Sequence, residues 1–242
     1  MRGNLKNDEY FSEKLVESDE EITDTEDLVA EVSSERGEDD IGVQNGYELL
    51  AIDYRNRIYL LYTSGTRDND ICNDYRKLLL YYAKTWDPED SYFELIKVLS
   101  LAVLLDVDAK DKNLTALMNY IKESCYTDYL VDKFLYYIDN GWEGNSTEFK
   151  WPNTYETLKN VAECEDKTQA TILLQDYLNN EWYGIHRECA WYDTHKSSKT
   201  VYYGYWSFES GALAKILSLN DSSLKGQAYY PYDLVHRCEK LQ

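Results

Sequence analysis

Apolar residues recur at three- and four-residue intervals along most of this chain, and only three prolines, Pro88, Pro152 and Pro231, interrupt its 242 residues. Proline is the residue that breaks helices most reliably. A chain patterned this way, with its apolar residues on a 3.6-residue period, has little choice but helix. No β alternation shows beyond a few residues around Thr200–Tyr203. The expected fold class is therefore all-α, a multi-helix bundle of packed antiparallel helices whose two halves share a core. Hydrophobic residues make up 43% of the chain, enough for a sizeable interior. Twenty-four tyrosines and six tryptophans give the packing an aromatic character. They also suit interfaces, because tyrosine joins a broad apolar face to a polar tip.

The helices can be placed from periodicity and caps. Residues 8–35 keep a narrow apolar stripe through Phe11, Leu15, Ile22, Leu28, Val29 and Val32 in an acidic background. They read as a helix, with partial disorder of residues 17–42 as the alternative. Tyr47 to Thr63 is a second helix closed by Gly65, and a third starts near Asn69. Asp87-Pro88 reads as a cap and first turn, opening a helix to Leu105 that is apolar on most sides. Further helices are expected at 113–123, 127–140, 154–163, 166–183, 207–217 and 231–240. The stretch 141–152 is a loop, with Trp142 and Trp151 expected to pin it. The expected domain split is 1–122 and 123–242.

Charge narrows the function classes. There are 45 acidic and 25 basic residues, a net charge of −20. Fifteen of the acids and only four of the bases fall in residues 1–40. Such a surface repels DNA, RNA and anionic lipid, so no direct nucleic-acid or membrane partner is expected; it suits a partner with a basic face. The N-terminus lacks the apolar core of a signal peptide. The five cysteines are scattered, odd in number and without a CxxC pair, as expected of reduced thiols in the cytoplasm.

No spacing marks a catalytic or metal centre, and no cofactor is expected. His186, Glu188, Cys189, Asp193 and His195 gather in one irregular stretch, but they match neither HExxH nor CxxC. Cys189 three residues after His186 lacks any recognisable oxyanion hole. Glu209 is more specific. Trp206, Glu209, Ala212, Leu213 and Ile216 share one helical face, which puts a carboxylate on the apolar side, where it needs partners. It reads as a bonded core group; a catalytic carboxylate and a partner contact are the alternatives.

From Tyr202 to His236 runs a dense aromatic signature. Tyr203-Gly204-Tyr205-Trp206 is followed by Ser207-Phe208-Glu209 and the small residues Gly211, Ala212 and Ala214. Asn220-Asp221-Ser222-Ser223-Leu224 and Tyr230-Pro231-Tyr232-Asp233-Leu234 come next. This order over residues 125–238 resembles the C-terminal part of the PoNi family, bacterial immunity proteins against PoNe-type DNase toxins. Arg2, Asp8-Glu9-Tyr10-Phe11 and Tyr62-Thr63-Ser64-Gly65 resemble its N-terminal part. The resemblance implies an α-helical, cytosolic, non-enzymatic protein whose partner is a DNase toxin domain. It supplies no contact residues. Tyr203, Gly204, Tyr205, Trp206, Glu209, Asp221, Tyr230, Pro231 and Asp233 read as motif positions that hold the fold. Exposed Glu188, Tyr192 and Asp193 are the candidate toxin contacts. Self-association into a homodimer is compatible with all of this. Two other functions stay open: a metal-dependent or acid–base hydrolase centred on Glu209 with His186 and His195, and an acidic mimic of DNA.

Overall fold

The computed structural model describes residues 2–65 and 68–237. Among them the chain forms eleven α-helices, two short 3-10 turns and no β-strand. The helices are α1 (Asp8–Arg36), α2 (Ile41–Ser64), α3 (Asp68–Thr85), α4 (Tyr92–Leu104), α5 (Lys112–Glu123) and α6 (Tyr129–Ile138). Then follow α7 (Glu156–Glu163), α8 (Lys167–Asn180), α9 (Trp182–Ile185), α10 (Phe208–Leu217) and α11 (Tyr232–Val235). No helix among the described residues is long and apolar enough to cross a membrane.

The helices gather into two compact units. One is Met1–Asp87 with Ala190–Tyr205; the other is Pro88–Cys189 with Trp206–Gln242. This division does not follow the sequence split at 122/123. The reason lies in α4. Its residues from Leu95 to Leu104 are all buried, so it needs neighbours on every side, and it packs against both α6 and α10. That gathers α6 and α10, on either side of residues 190–205 in the chain, around one helix.

In the first unit α2 packs against both α1 and α3. The acidic helix α1 is continuous from Asp8 to Arg36, and residues 17–42 are helical apart from the turn at 37–40. Asn7 caps it by accepting from the Tyr10 amide. Its buried stripe is Phe11, Lys14, Ser18, Ile22 and Val29, whereas Leu28 faces outward. Polar ties supplement that thin stripe. The Arg57 guanidinium bridges Asp19 of α1 at 2.6 Å and Asp74 of α3 at 2.7 Å. Glu26 accepts from Tyr54, Lys77 and Tyr81, each at 2.9 Å. Gly65 ends α2 in the left-handed region, φ 85°, ψ 20°.

The segment 190–205 belongs to this unit through backbone ties. Tyr10 Oη donates to the Tyr202 carbonyl at 3.0 Å and accepts from its amide at 2.9 Å. Thr63 Oγ1 donates to the Tyr203 carbonyl at 2.8 Å. No strand forms at 200–203.

In the second unit, aspartates start the helices. Asp111, Asp128 and Asp166 each accept two amides at the first turns of α5, α6 and α8, the usual role of a short acceptor at an N-cap. Asp87-Pro88 does not open α4. Residues 88–90 form a turn, and Ser91 stands at the N-cap. The loop after α6 is pinned by Trp142, whose Nε1–H donates to Asp132 at 2.9 Å. Trp151 pins nothing by burial; it is 55% exposed. The expected last helix, 231–240, is short: α11 stops at Val235, and residues 238–240 lie outside the described residues.

Candidate functional site

The aromatic signature divides between the two units. Tyr203, Gly204 and Tyr205 belong to the first, and Trp206 onward to the second. Gly204 has φ 125°, a backbone region that residues with a Cβ avoid. Tyr205 is buried, and its hydroxyl accepts from the His195 amide at 3.1 Å and meets His195 Nδ1 at 2.9 Å. Tyr203 is half-buried under the Lys14 ammonium, 5.3 Å above its ring.

In the second unit Glu209 is 3% exposed. Two side-chain donors reach one oxygen, Oε1: Trp182 Nε1–H at 2.5 Å and Ser207 Oγ–H at 2.8 Å. Burial pushes the Glu209 carboxyl up, while its own amide, Ser207, Trp182 and the charge of Lys97 pull it back. The carboxylate is thus a bonded core group on the helical face that spacing assigned to it. Asp221 is the second buried acid of the signature. It accepts from the Tyr230 hydroxyl at 2.6 Å and contacts His236 Nε2 at 2.7 Å. Trp206 and Pro231 are buried, and Asp233 is exposed in the first turn of α11.

His186 sits beside this cluster and shares Trp182 with it. The Trp182 carbonyl, which can only accept, lies 2.7 Å from His186 Nδ1, so that nitrogen carries the proton. Nε2 is then the acceptor, 3.4 Å from the Tyr155 hydroxyl. The ring is 2% exposed. Burial holds its pKa down at about 4, and the nearby Lys97 charge adds to this. His186 is accordingly neutral at pH 7. The Cys189 thiol is pushed up by burial, the opposite of what a nucleophilic cysteine needs.

The remaining candidates divide between the two units. Glu188 is exposed in the second unit, whereas Tyr192, Asp193 and His195 are half-buried in the first. Asp193 has φ 60° and pairs with Lys196 at 2.7 Å. Among the described residues, no group of three or more His, Cys, Asp or Glu side chains could hold a metal ion. Two adjoining cavities, about 520 and 320 Å³, open in the second unit beside the Ser124–Thr127 turn. Lys122, Tyr126, Trp142 and Glu148 line the larger one. Neither is lined by Glu209, His186 or His195. Buried Trp182, which joins Glu209 to His186, escapes sequence reading because it lies 27 residues from Glu209 with no shared period.

With no metal-holding cluster among the described residues, family likeness is the deciding observation. Residues 2–118 match the family model described as PoNe immunity protein (PoNi), N-terminal, and residues 126–234 match PoNe immunity proteins (PoNi), C-terminal. The chain belongs to the PoNi family. Neither the search of curated proteins nor that of solved structures found a match. The PoNi matches run through both compact units. They include the acidic helix α1 and the aromatic signature up to Leu234.

Proposed function

We propose that this PoNi protein binds a cognate PoNe-type DNase in the cytoplasm and neutralises it by forming a tight complex, acting by binding rather than by catalysis. The observation that carries this reading is the match of both parts of the chain to the two PoNi models. Electrostatics supports it. A DNase must present a basic surface to hold phosphates, and a chain of net charge −20 is steered onto such a surface. Exposed Glu188 and the half-buried Tyr192 and Asp193 are proposed as toxin contacts. Asp193 is already committed to Lys196, so Glu188 is the stronger of the two acids.

The test is co-expression with a PoNe-type DNase domain, a toxin encoded beside this chain being the first to try. Cells should survive, and the two proteins should co-purify. Death of the cells with no complex formed ends the immunity reading. Reversing Glu188 and Asp193 to lysine should weaken the complex; unchanged affinity removes both residues from the interface. A second reading, an acidic DNA mimic, draws on the outward carboxylates Glu13, Glu20, Asp24, Asp27 and Glu31 of α1. It predicts displacement of unrelated DNA-binding proteins from DNA, whereas immunity predicts action on one toxin.

A further inference from the structure

On α2, positions 41, 45, 49, 52 and 56 fall in one row by helical spacing. They are Ile41, Asn45, Leu49, Ile52 and Asn56, an uncharged row in a chain of net charge −20. Ile41 is 74% exposed, Leu49 46% and Ile52 44%. The row borders α1. Gly46, three residues before Leu49, faces Val29, and Gly42 faces Val32. Leu28, next to Val29 and 59% exposed, therefore flanks the same α1–α2 seam. Burial within the fold does not account for these four side chains.

Helix α1 divides its carboxylates between two tasks. Asp19, Glu21 and Glu26 meet Arg57, Lys14 and Lys77. Glu13, Glu20, Asp24, Asp27 and Glu31 are exposed and form no ion pair among the described residues. The outcome is an apolar row beside a charged one, the arrangement of an interface with a dry centre and a polar rim. A second copy of this chain would bring carboxylates against carboxylates. A basic protein surface pairs its charges with the carboxylate row and can cover the apolar row with the aliphatic stems of its lysines and arginines.

We propose that the exposed α1–α2 face is the docking surface for the basic face of the DNase, with Leu28, Leu49 and Ile52 as its apolar anchors. This surface assignment rests on the toxin-binding reading above. The experiment measures binding of the full chain to the PoNe-type DNase domain that it protects against in co-expression, for wild type, for Leu49→Asp/Ile52→Asp and for Ile172→Asp. Ile172 is equally exposed, at 53%, in the second unit, and circular dichroism checks each fold. The double variant should bind about thirty-fold or more weakly, the loss expected for an interface centre, and Ile172→Asp should bind as wild type. Wild-type affinity in the double variant, or an equal loss in Ile172→Asp, overturns the docking surface and leaves the toxin-binding reading standing. A double variant that only breaks a dimer of this chain, still binding the DNase fully, makes the face a self-association surface instead. No binding by wild type ends both readings.

Discussion

At the scale of single residues, two buried titratable groups make opposite demands. Glu209 must keep an acceptor for Trp182 and Ser207 but has no need of its charge, because burial already favours its neutral form. Glu209→Gln keeps an oxygen at Oε1 and should change stability by less than about 1 kcal/mol. Glu209→Ala takes the carboxyl acceptor from buried Trp182 Nε1–H, while Ser207 Oγ keeps Ser210 at 2.6 Å, and should cost about 1–3 kcal/mol. Urea denaturation of the two variants measures the difference, and equal losses would show that the charge itself matters. His186 is held near pKa 4 when folded, against about 6.5 in an unfolded chain. Between those values the unfolded chain takes up a proton that the folded one refuses. The His186 contribution is therefore constant above about pH 6.5. Stability falls as the pH drops through the window to 4, by about 3 kcal/mol at most. His186→Gln should remove that part of the acid limb; the same pH slope in both proteins would show that His186 does not cause it.

At the scale of elements, one glycine fixes how α10 meets the start of α11. A Cβ on Gly211 would lie 2.5 Å from Pro231 Cγ and 3.1 Å from Val235 Cγ2, and a proline ring cannot swing aside. Alanine would gain about 1 kcal/mol in helix propensity. Overpacking costs about 1–3 kcal/mol, so Gly211→Ala should be destabilising by about 1 kcal/mol net. A raised melting temperature in that variant would show that the seam yields. The face of α10 that carries Glu209 was legible because it follows helical spacing, whereas Gly211 stood in the sequence only as one of the signature's small residues. The Gly65 cap was legible for the same local reason. The start of α4 was not, because Asp-Pro satisfies the rules for a cap equally well as a turn ahead of Ser91. Nor was the attachment of residues 190–205 to α1, which rests on bonds such as Tyr10 to Tyr202, 192 positions apart. Such ties leave no periodic trace. Partners of buried groups, Trp182 for Glu209 above all, escape for the same reason.

At the scale of the whole molecule, the net charge of −20 acts in two directions. Within the chain it is a cost. The outward carboxylates of α1 repel one another along a helix whose buried stripe is thin, and mobile ions screen that repulsion. Toward a basic partner the same field is an advantage, because it raises the encounter rate, and the same ions screen that too. Stability and association should then respond oppositely to salt. Raising sodium chloride from about 0.02 M to about 0.5 M shortens the screening length from roughly 20 Å to roughly 4 Å. The melting temperature of the isolated chain should rise by about 2–4 °C, as expected for about 1 kcal/mol in a chain of this size. The association rate constant with the DNase domain should fall by about ten-fold or more over the same range. Calorimetry and stopped-flow mixing read the two quantities independently. Reversing Asp24, Asp27 and Glu31 to lysine should reduce both responses, since those side chains lie on the repelling helix and beside the docking row. If the triple variant flattens the thermal response but leaves the salt dependence of association intact, the field that steers the toxin does not originate on α1, and the docking surface must be sought elsewhere.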